Sequence, residues 1–587
     1  MRATYLWLPC ILAPALLGCP EDPPPQNDTG WCGVAQAERP ACEGTLPTRF
    51  DASSTVDKGC YVATQTPRLG NGVTLTLAPG VTILFASGTG LDISADQVLI
   101  AAGSVDEPIC LSGQASTRGA WDGLRFDGTS SPSQLDHVTV EYGGDTQSDA
   151  DAAGIKATAD SRGVRLTMTH TTVAQSQGWG LFLTGSAVID GFAANTLTGN
   201  ALGPASVDGE VVGDLDTASS YTGNDVDQLR VRAYRLSTAA TWADLGVPYF
   251  LETSLRVETV DWTIAPGVTL IMGSGTALNI DSNAAALIAI GTAEAPILFT
   301  GETATRGAWE GLVFDGSNNT RNALSHVIVE WAGNTDSDAD SAAVKLMADS
   351  RGVQVAISHT TVRQSQGWGL YLTGSAVLPG FEDNVLTENA LGPVKSGSTA
   401  VQQLLPASTY TGNDVDRVQV HTDYVASGST WLDLGVPYAL DGVLSISVPW
   451  ILDPGVTLIM QAVTGRIEVN GASASLHAEG TAEKPIVFTA EDATPGAWQG
   501  LTFDTTEGQS NVLDHVTVEY AGSAPVQYPG AVFLTSDSRP IHISLTNSTI
   551  RHNAAYGVWL CGSAVANSDI ESSNSFDDNT LGDYLHD

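Results

Sequence analysis

The string GAWDGLRF at residues 119–126 returns as GAWEGLVF at 307–314 and as GAWQGLTF at 496–503. Its tryptophans, Trp121, Trp309 and Trp498, are separated by 188 and then 189 residues. Other strings keep the same register: APGVTILF from Ala78 is answered by APGVTLIM from Ala265 and DPGVTLIM from Asp453. LDHVTVEY from Leu135 is answered by LSHVIVEW from Leu324 and LDHVTVEY from Leu513. A chain made of three near-copies has to fold each copy the same way. A period this long must itself be subdivided, so the structural unit lies inside the cassette.

Within each cassette, short alternating runs such as VTLTL at Val73, VTILF at Val81, VLIAA at Val98 and VTVEY at Val138 are cut by Gly, Asn and Asp every few residues. Alternation at period two marks half-buried strands, and helical spacing is absent at comparable strength. Alternation turns Leu124, Phe126, Val138, Val140, Tyr142, Ile155, Leu181 and Leu183 inward. If GLRF, GIKA and GLFL stack as successive rungs, Arg125, Lys156 and Phe182 form an outward row. The second cassette places Val313, Lys345 and Tyr371 there, and the third Thr502, Phe533 and Trp559. Many short strands without paired hairpins describe an all-β solenoid of parallel strands. Coils of roughly 20 to 28 residues give about 20 to 25 rungs and a body ~100 Å long.

The set PGVTILF, GT-x-x-x-PI-x-F (GTAEAPILF from Gly291, GTAEKPIVF from Gly480), GAW-x-GL-x-F and L-x-HV-x-VEY covers most of residues 61–587. It resembles the right-handed parallel β-helix of exported bacterial proteins in the pectin-lyase-like superfamily. The resemblance implies a fold of three tandem super-repeats of about 188 residues. It implies no single activity, because that scaffold carries lyases, hydrolases, adhesins and inert stalks.

Formal net charge is -40, which excludes nucleic acid as a partner because phosphate binding needs clustered Lys and Arg. Hydrophobic content of 42% with 61 glycines describes a folded, turn-rich chain rather than a disordered acidic one.

At the N-terminus, Met1 and Arg2 precede an apolar run over residues 5–17 that is too short to span a bilayer and reads as an export signal. Leu16, Leu17, Gly18 and Cys19 resemble the lipobox of bacterial lipoproteins. That resemblance implies cleavage before Cys19, its acylation, and a lipid anchor to the cell envelope, with the outer membrane or cell surface expected ahead of the inner membrane. An ordinary signal peptide cut elsewhere is the competing reading. The expected organisation is a signal over 1–18, a Pro-rich acidic tether over 19–30, a Cys-containing cap over 31–60, and cassettes over 61–248, 249–437 and 438–587. With Cys10 removed and Cys19 acylated, an odd set remains: Cys32, Cys42, Cys60, Cys110 and Cys561. Cys32 with Cys42 is the first pairing expected, although spacing leaves the connectivity open. Cys561 stands where earlier cassettes carry Thr184 and Thr373, and is the expected orphan.

Four groups are candidates for chemistry. His137, His326 and His515 each precede Glu141, Glu330 and Glu519 by four residues, which is about 13 Å along a strand. Copies one cassette apart lie farther still, so a pooled metal centre is excluded and a polar strand face is expected. Asp145, Asp149 and Asp151, and then Asp336, Asp338 and Asp340, alternate in Gly/Ala-rich loops as oxygen ligation of Ca²⁺ requires; a solvated acidic loop is the alternative. Lys156 and Arg125, with Asp149 and Asp151, make the best lyase-like cluster, supplying cations for a uronate carboxylate and a base for the adjacent proton. Lys345 repeats in the second cassette, and Arg162, Arg351 and Arg539 recur nearby. Trp179, Phe182, Trp368, Tyr371, Tyr556 and Trp559 offer rings for stacking on sugar, with avidity from repetition, or else simply cover apolar outer turns. Asn195, Asn384 and Asn579, with Asn224 and Asn413, are expected at coil corners.

The expected function is therefore a lipid-anchored cell-envelope rod that binds glycan or a surface protein through repeated outer faces. A polysaccharide lyase or hydrolase is the alternative, and a pure spacer is a third reading. One deep groove holding Asp, Lys and Arg would favour the enzyme.

Overall fold

The computed structural model describes Cys32 and residues 41–587, apart from 130, 148, 160–162, 185–186, 337, 339, 349, 426–427, 505, 507–509, 524–529 and 537–540. The signal segment, Cys19 and the tether lie outside the described residues. The chain is a parallel β-helix: strands of two to seven residues pair in parallel with the strand one coil earlier and one coil later. Coils run from 17 residues (Gly44 paired with Tyr61) to 35 (Ile288 paired with Ala323), the longest exceeding the sequence expectation. No described helix is long and apolar enough to cross a membrane.

Alternation sets the core. Thr74–Leu77, Thr269–Met272 and Thr457–Met460 each repeat the same half-buried, buried pattern, and their inward Leu and Met side chains join the core. Trp121, Trp309 and Trp498 are fully buried. Each donates its indole N–H to a backbone carbonyl, of Glu141 at 2.8 Å, Glu330 at 2.9 Å and Glu519 at 2.8 Å. A large ring is thus buried without leaving its polar atom unpaired. The glycine two residues on is dictated by backbone approach. Gly311 and Gly500 have φ of 119° and 118°, and a Cβ on either would lie 2.6 Å from a carbonyl of the next coil; Gly123 is placed the same way.

The HV-x-VEY string is a four-residue strand bracketed by two left-handed corners. His137, His326 and His515 have φ of 51°, 50° and 49°, and Tyr142, Trp331 and Tyr520 have 62°, 61° and 61°. The histidines therefore occupy corners and not the polar strand face expected of them; His, Asn and Asp are the side chains that best tolerate that backbone region. The glutamates do lie on the outer side of the strand, yet they are buried. Glu330 takes Thr300 Oγ1 at 3.0 Å and Arg363 Nη2 at 2.6 Å, and Glu519 takes Thr489 Oγ1 at 2.9 Å and Arg551 Nε at 2.8 Å. Glu141 takes Ser112 Oγ at 2.9 Å and the Cys32 N–H at 3.1 Å.

Asparagines close the remaining corners as expected. Asn195 accepts from Thr171 N at 3.0 Å and donates to Met168 O at 2.8 Å, and Asn384 does the same with Thr360 and Ile357 at 3.0 Å each. The third copy of this position is Asn574, which accepts from Ser548 N at 2.9 Å. Asn579 instead extends the neighbouring ladder, accepting from Asn553 Nδ2 at 2.8 Å as Asn224 does from Asn200 at 2.9 Å; the last coil is longer than its counterparts, which displaced the sequence alignment.

Sulfur pairing differs from expectation. Cys32 is bonded to Cys110 and Cys42 to Cys60, with Cα separations of 5.7 Å and 4.9 Å; Cys561 joins neither disulfide. The coil register decides this: Gly44–Thr45 pairs with Cys60–Ala63, which sets Cys42 near Cys60. Cys32 itself then lies on the outer side of the sheet, at Cys110 and Glu141.

The cassettes do not stack in phase. Gly123–Asp127 and Trp179–Thr184 belong to a 12-stranded sheet that continues into Thr269–Met272 and Val327–Glu330. Gly311–Asp315 of the second cassette lies in the next sheet round, a 14-stranded one that continues into Thr457–Met460 of the third. Gly500–Asp504 lies in yet another sheet. A cassette is about seven coils and one face long, so equivalent side chains step round the rod by one face per copy.

Candidate functional site

In the first cassette the outward row is Asp92, Arg125, Lys156 and Phe182, in strict cross-strand register. Beside it, the loop between Tyr142 and Ala153 walls a hollow of about 300 Å³ lined by Asp92, Asp122, Arg125, Asp145, Asp149 and Lys156. Asp122 is fixed there because its neighbours, buried Trp121 and close-packed Gly123, leave its side chain only the outer direction. Arg125, Lys156 and Asp149 of the lyase-like cluster are thus brought together, while Asp151 does not line the hollow; they are joined by two carboxylates, Asp92 and Asp122, that the sequence did not single out. Their signal was present: Asp92 falls on the same outward parity as Arg125.

The cations of this hollow are engaged. Lys156 Nζ pairs with Asp149 Oδ2, and Arg125 Nη2 donates to Asp127 Oδ2 at 3.0 Å. The other oxygen of Asp149 accepts from Asp151 N at 3.0 Å. Burial pushes the Asp149 carboxyl up, but its hydrogen bonds from Lys156 and the Asp151 N–H outweigh this and hold it below the usual carboxylate range. Burial raises Asp92 against the pull of Arg125; burial also raises Asp122, reinforced by Asp145 and Asp92. Carboxyls displaced in opposite directions thus share one hollow, the condition under which one can donate a proton while another stays ionised.

The second cassette keeps the strut and loses two of the hollow's four carboxylates, keeping Glu310 in the place of Asp122 and Asp338 in that of Asp149. Lys345 pairs with Asp338, whose other oxygen accepts from Asp340 N at 2.9 Å, and Asp340 takes Lys395 Nζ at 2.5 Å. Asn279, Val313 and Asn334 stand where Asp92, Arg125 and Asp145 stood. In both loops, carboxylate oxygens proposed for Ca²⁺ are therefore taken by lysines and backbone N–H groups of the chain itself. Arg162 and Arg539 lie outside the described residues.

The aromatic candidates separate. Trp179 and Phe182 cluster with Ala153 outside the main core; Phe182 is only 2% exposed, with Arg232 over its ring at 4.0 Å and Lys156 at 4.9 Å. Arg230 lies 5.8 Å from the Trp179 ring. Trp368 is buried, and Tyr371 is half-buried beneath Lys345 at 5.3 Å and Lys395 at 5.6 Å. In both cassettes cations hold ring faces that sugar stacking would need. In the third, Tyr556 and Trp559 are half-buried; Trp559 tilts against Phe533 at 5.0 Å and donates its N–H to Asp587 Oδ1 at 3.0 Å.

Two exposed rings were missed. Tyr234 and Tyr424, 76% and 56% exposed, rim hollows of about 240 and 330 Å³ where one cassette passes into the next. Their signal was recurrence after the YTGNDVD string. A corner pair was missed as well: His170 stacks on His137 with centroids 4.5 Å apart, and His359 on His326 at 4.6 Å.

No known protein-family model matches this chain, and no curated protein does either.

Proposed function

We propose that this protein is a non-catalytic rod of the cell envelope, held by an acylated Cys19 and binding glycan or a surface protein on its outer faces, within the pectin-lyase-like β-helix group. The observation that carries this reading is the engagement of the would-be catalytic cations: Lys156 is tied to Asp149 and Arg125 to Asp127, and the hollow holds more carboxylates than cations. Such a hollow repels the uronate that a lyase must bind. The binding surfaces left open are the junction hollows at Tyr234 and Tyr424 and the half-exposed Trp559 face. Because equivalent faces turn round the rod, they suit separate ligands on different sides better than one straight polymer lying along it.

A second reading, hydrolysis of a neutral glycan, is favoured by the raised carboxyls of Asp92 and Asp122 beside the lowered Asp149. One experiment separates the readings. The full chain is incubated with acidic and neutral polysaccharides, with and without Ca²⁺, and unsaturated uronate absorbance, reducing ends and co-sedimentation are followed. Binding without new ends, weakened by Tyr234→Ala or Trp559→Ala, is the expected result. New ends lost in Asp122→Asn would establish the hydrolase, and uronate absorbance lost in Lys156→Ala would establish the lyase.

A further inference from the structure

We infer that the corner formed by Asp136, His137 and His170 is a binding site for a divalent transition-metal ion of the Zn²⁺, Ni²⁺ or Cu²⁺ type. Asp136 ends the strand Ser133–Asp136 and is paired across the coil with Thr169, so the residues that follow, His137 and His170, fall one above the other. Both take the left-handed conformation, with φ of 51° and 46°, which sets the rings side by side on the outside of the corner. Each Nδ1 lies 3.0 Å from the same Asp136 Oδ1. The three ligand atoms all fall within 4.8 Å of one another.

Metal–nitrogen and metal–oxygen bonds of about 2.1 Å set neighbouring ligands about 3 Å apart, which is the Nδ1 to Oδ1 spacing found here. Two imidazoles and one carboxylate form a borderline donor set that selects these ions over Ca²⁺ or Mg²⁺. Side-chain exposures of 22% for His137, 28% for Asp136 and 53% for His170 leave the outer coordination positions to water. The chain's charge of -40 draws cations to its surface.

The other cassettes each lack one ligand. The second keeps the stack of His326 and His359 but has Ser325 in the place of Asp136. The third keeps Asp514 and His515 but has Asn547 in the place of His170, donating to Asp514 Oδ1 at 2.8 Å. Those two natural replacements supply variants that the fold already accommodates: Asp136→Ser and His170→Asn.

The test uses the tag-free full chain in a buffer that does not bind metal. Zn²⁺ is titrated calorimetrically, and one equivalent of Cu²⁺ is examined by electron paramagnetic resonance. The expected result is a wild-type site whose Cu²⁺ signal carries coupling from two nitrogens. Each variant should hold one ion fewer per chain, or bind it at least ~10-fold more weakly, with unchanged circular dichroism. Equal stoichiometry and affinity in either variant would overturn the inference, as would a copper signal without imidazole coupling or an absence of binding at about 100-fold over the protein concentration.

Discussion

Trp309 is fully buried in its coil, with its one polar atom paired. Trp309→Phe removes the N–H that meets the Glu330 carbonyl at 2.9 Å and opens space in a fully packed layer. The expected loss is about 2–4 kcal/mol, seen as a lower urea midpoint. An unchanged midpoint would mean that the repeat of this tryptophan is not structural. Asp122 gives the opposite sign. Its folded carboxyl binds a proton more tightly than the unfolded chain does, chiefly because it is buried and then because Asp145 and Asp92 face it. Its ionisation therefore costs stability progressively as pH rises from the unfolded value through the raised one. Asp122→Asn should raise stability at pH 7 by less than ~1 kcal/mol, seen as a higher melting temperature, and give no gain near pH 3 where both states are protonated. At this scale the core was legible, because alternation reports direction directly: Leu124, Phe126, Ile155 and Leu181 are buried as read. The corner histidines were not, since a left-handed φ leaves no mark on period two and His170 meets His137 only through the coil register.

Loops and caps are held by side chains reaching across coils. Lys345, with only 14% of its side chain exposed, ties Asp338 down and fixes the loop after Trp331 against the sheet. The hydrogen bond from Lys345, aided by the Asp340 N–H, overcomes burial and lowers the Asp338 carboxyl. Its contribution is therefore present above the unfolded value of about 3.9 and is lost as pH falls through the folded one. Lys345→Met should speed hydrogen exchange of the amides at 334–336, 338 and 340 by about tenfold while Ala342–Met347 and the sheet beneath stay protected. Arg306 braces a longer span, meeting Asp414 at 2.6 and 3.1 Å and the Glu388 carbonyl at 2.6 Å; Arg118 meets Asp225 in the same way. The third cassette has Pro495 at that position. At the N-terminal end, reducing Cys32–Cys110 and Cys42–Cys60 should expose the first coils, lowering protection over residues 41–113 and leaving the second and third cassettes unaffected. The pairing itself was illegible because it depends on which strand lies above which, and the cap has no periodicity from which to read that.

Parallel pairing and a body of about twenty coils follow from the sequence, but the phase of the cassettes does not. Repetition says which residues are equivalent; only the number of residues in every intervening coil says where round the axis they come to rest. Here the surplus is one face. Phe182 lies on the 12-stranded sheet, Tyr371 on the 14-stranded sheet and Trp559 on a third, so the avidity expected of a straight row is replaced by presentation in different directions. This makes the rod sensitive to deletion in a particular way. Both cassette junctions read GVPY, at Gly246 and Gly435, and removing residues 249–437 joins Pro248 to Tyr438 with that string intact. Tyr438–Leu440 then takes the place of Tyr249–Leu251 on the 12-stranded sheet, and the third cassette follows in the face order of the second. Because each coil contacts only its neighbours, the shortened chain should still fold cooperatively. Its longest dimension in small-angle scattering should fall by about a third, from ~100 Å to ~65 Å at 4.8 Å per coil. Trp559 should move round to the face that Tyr371 holds in the full chain, which distances between spin labels at positions 182 and 559 would register. A shortened rod in which Trp559 kept its original face, or a deletion that left the two remaining cassettes unfolded, would show that phase is set by something other than counted residues in stacked coils.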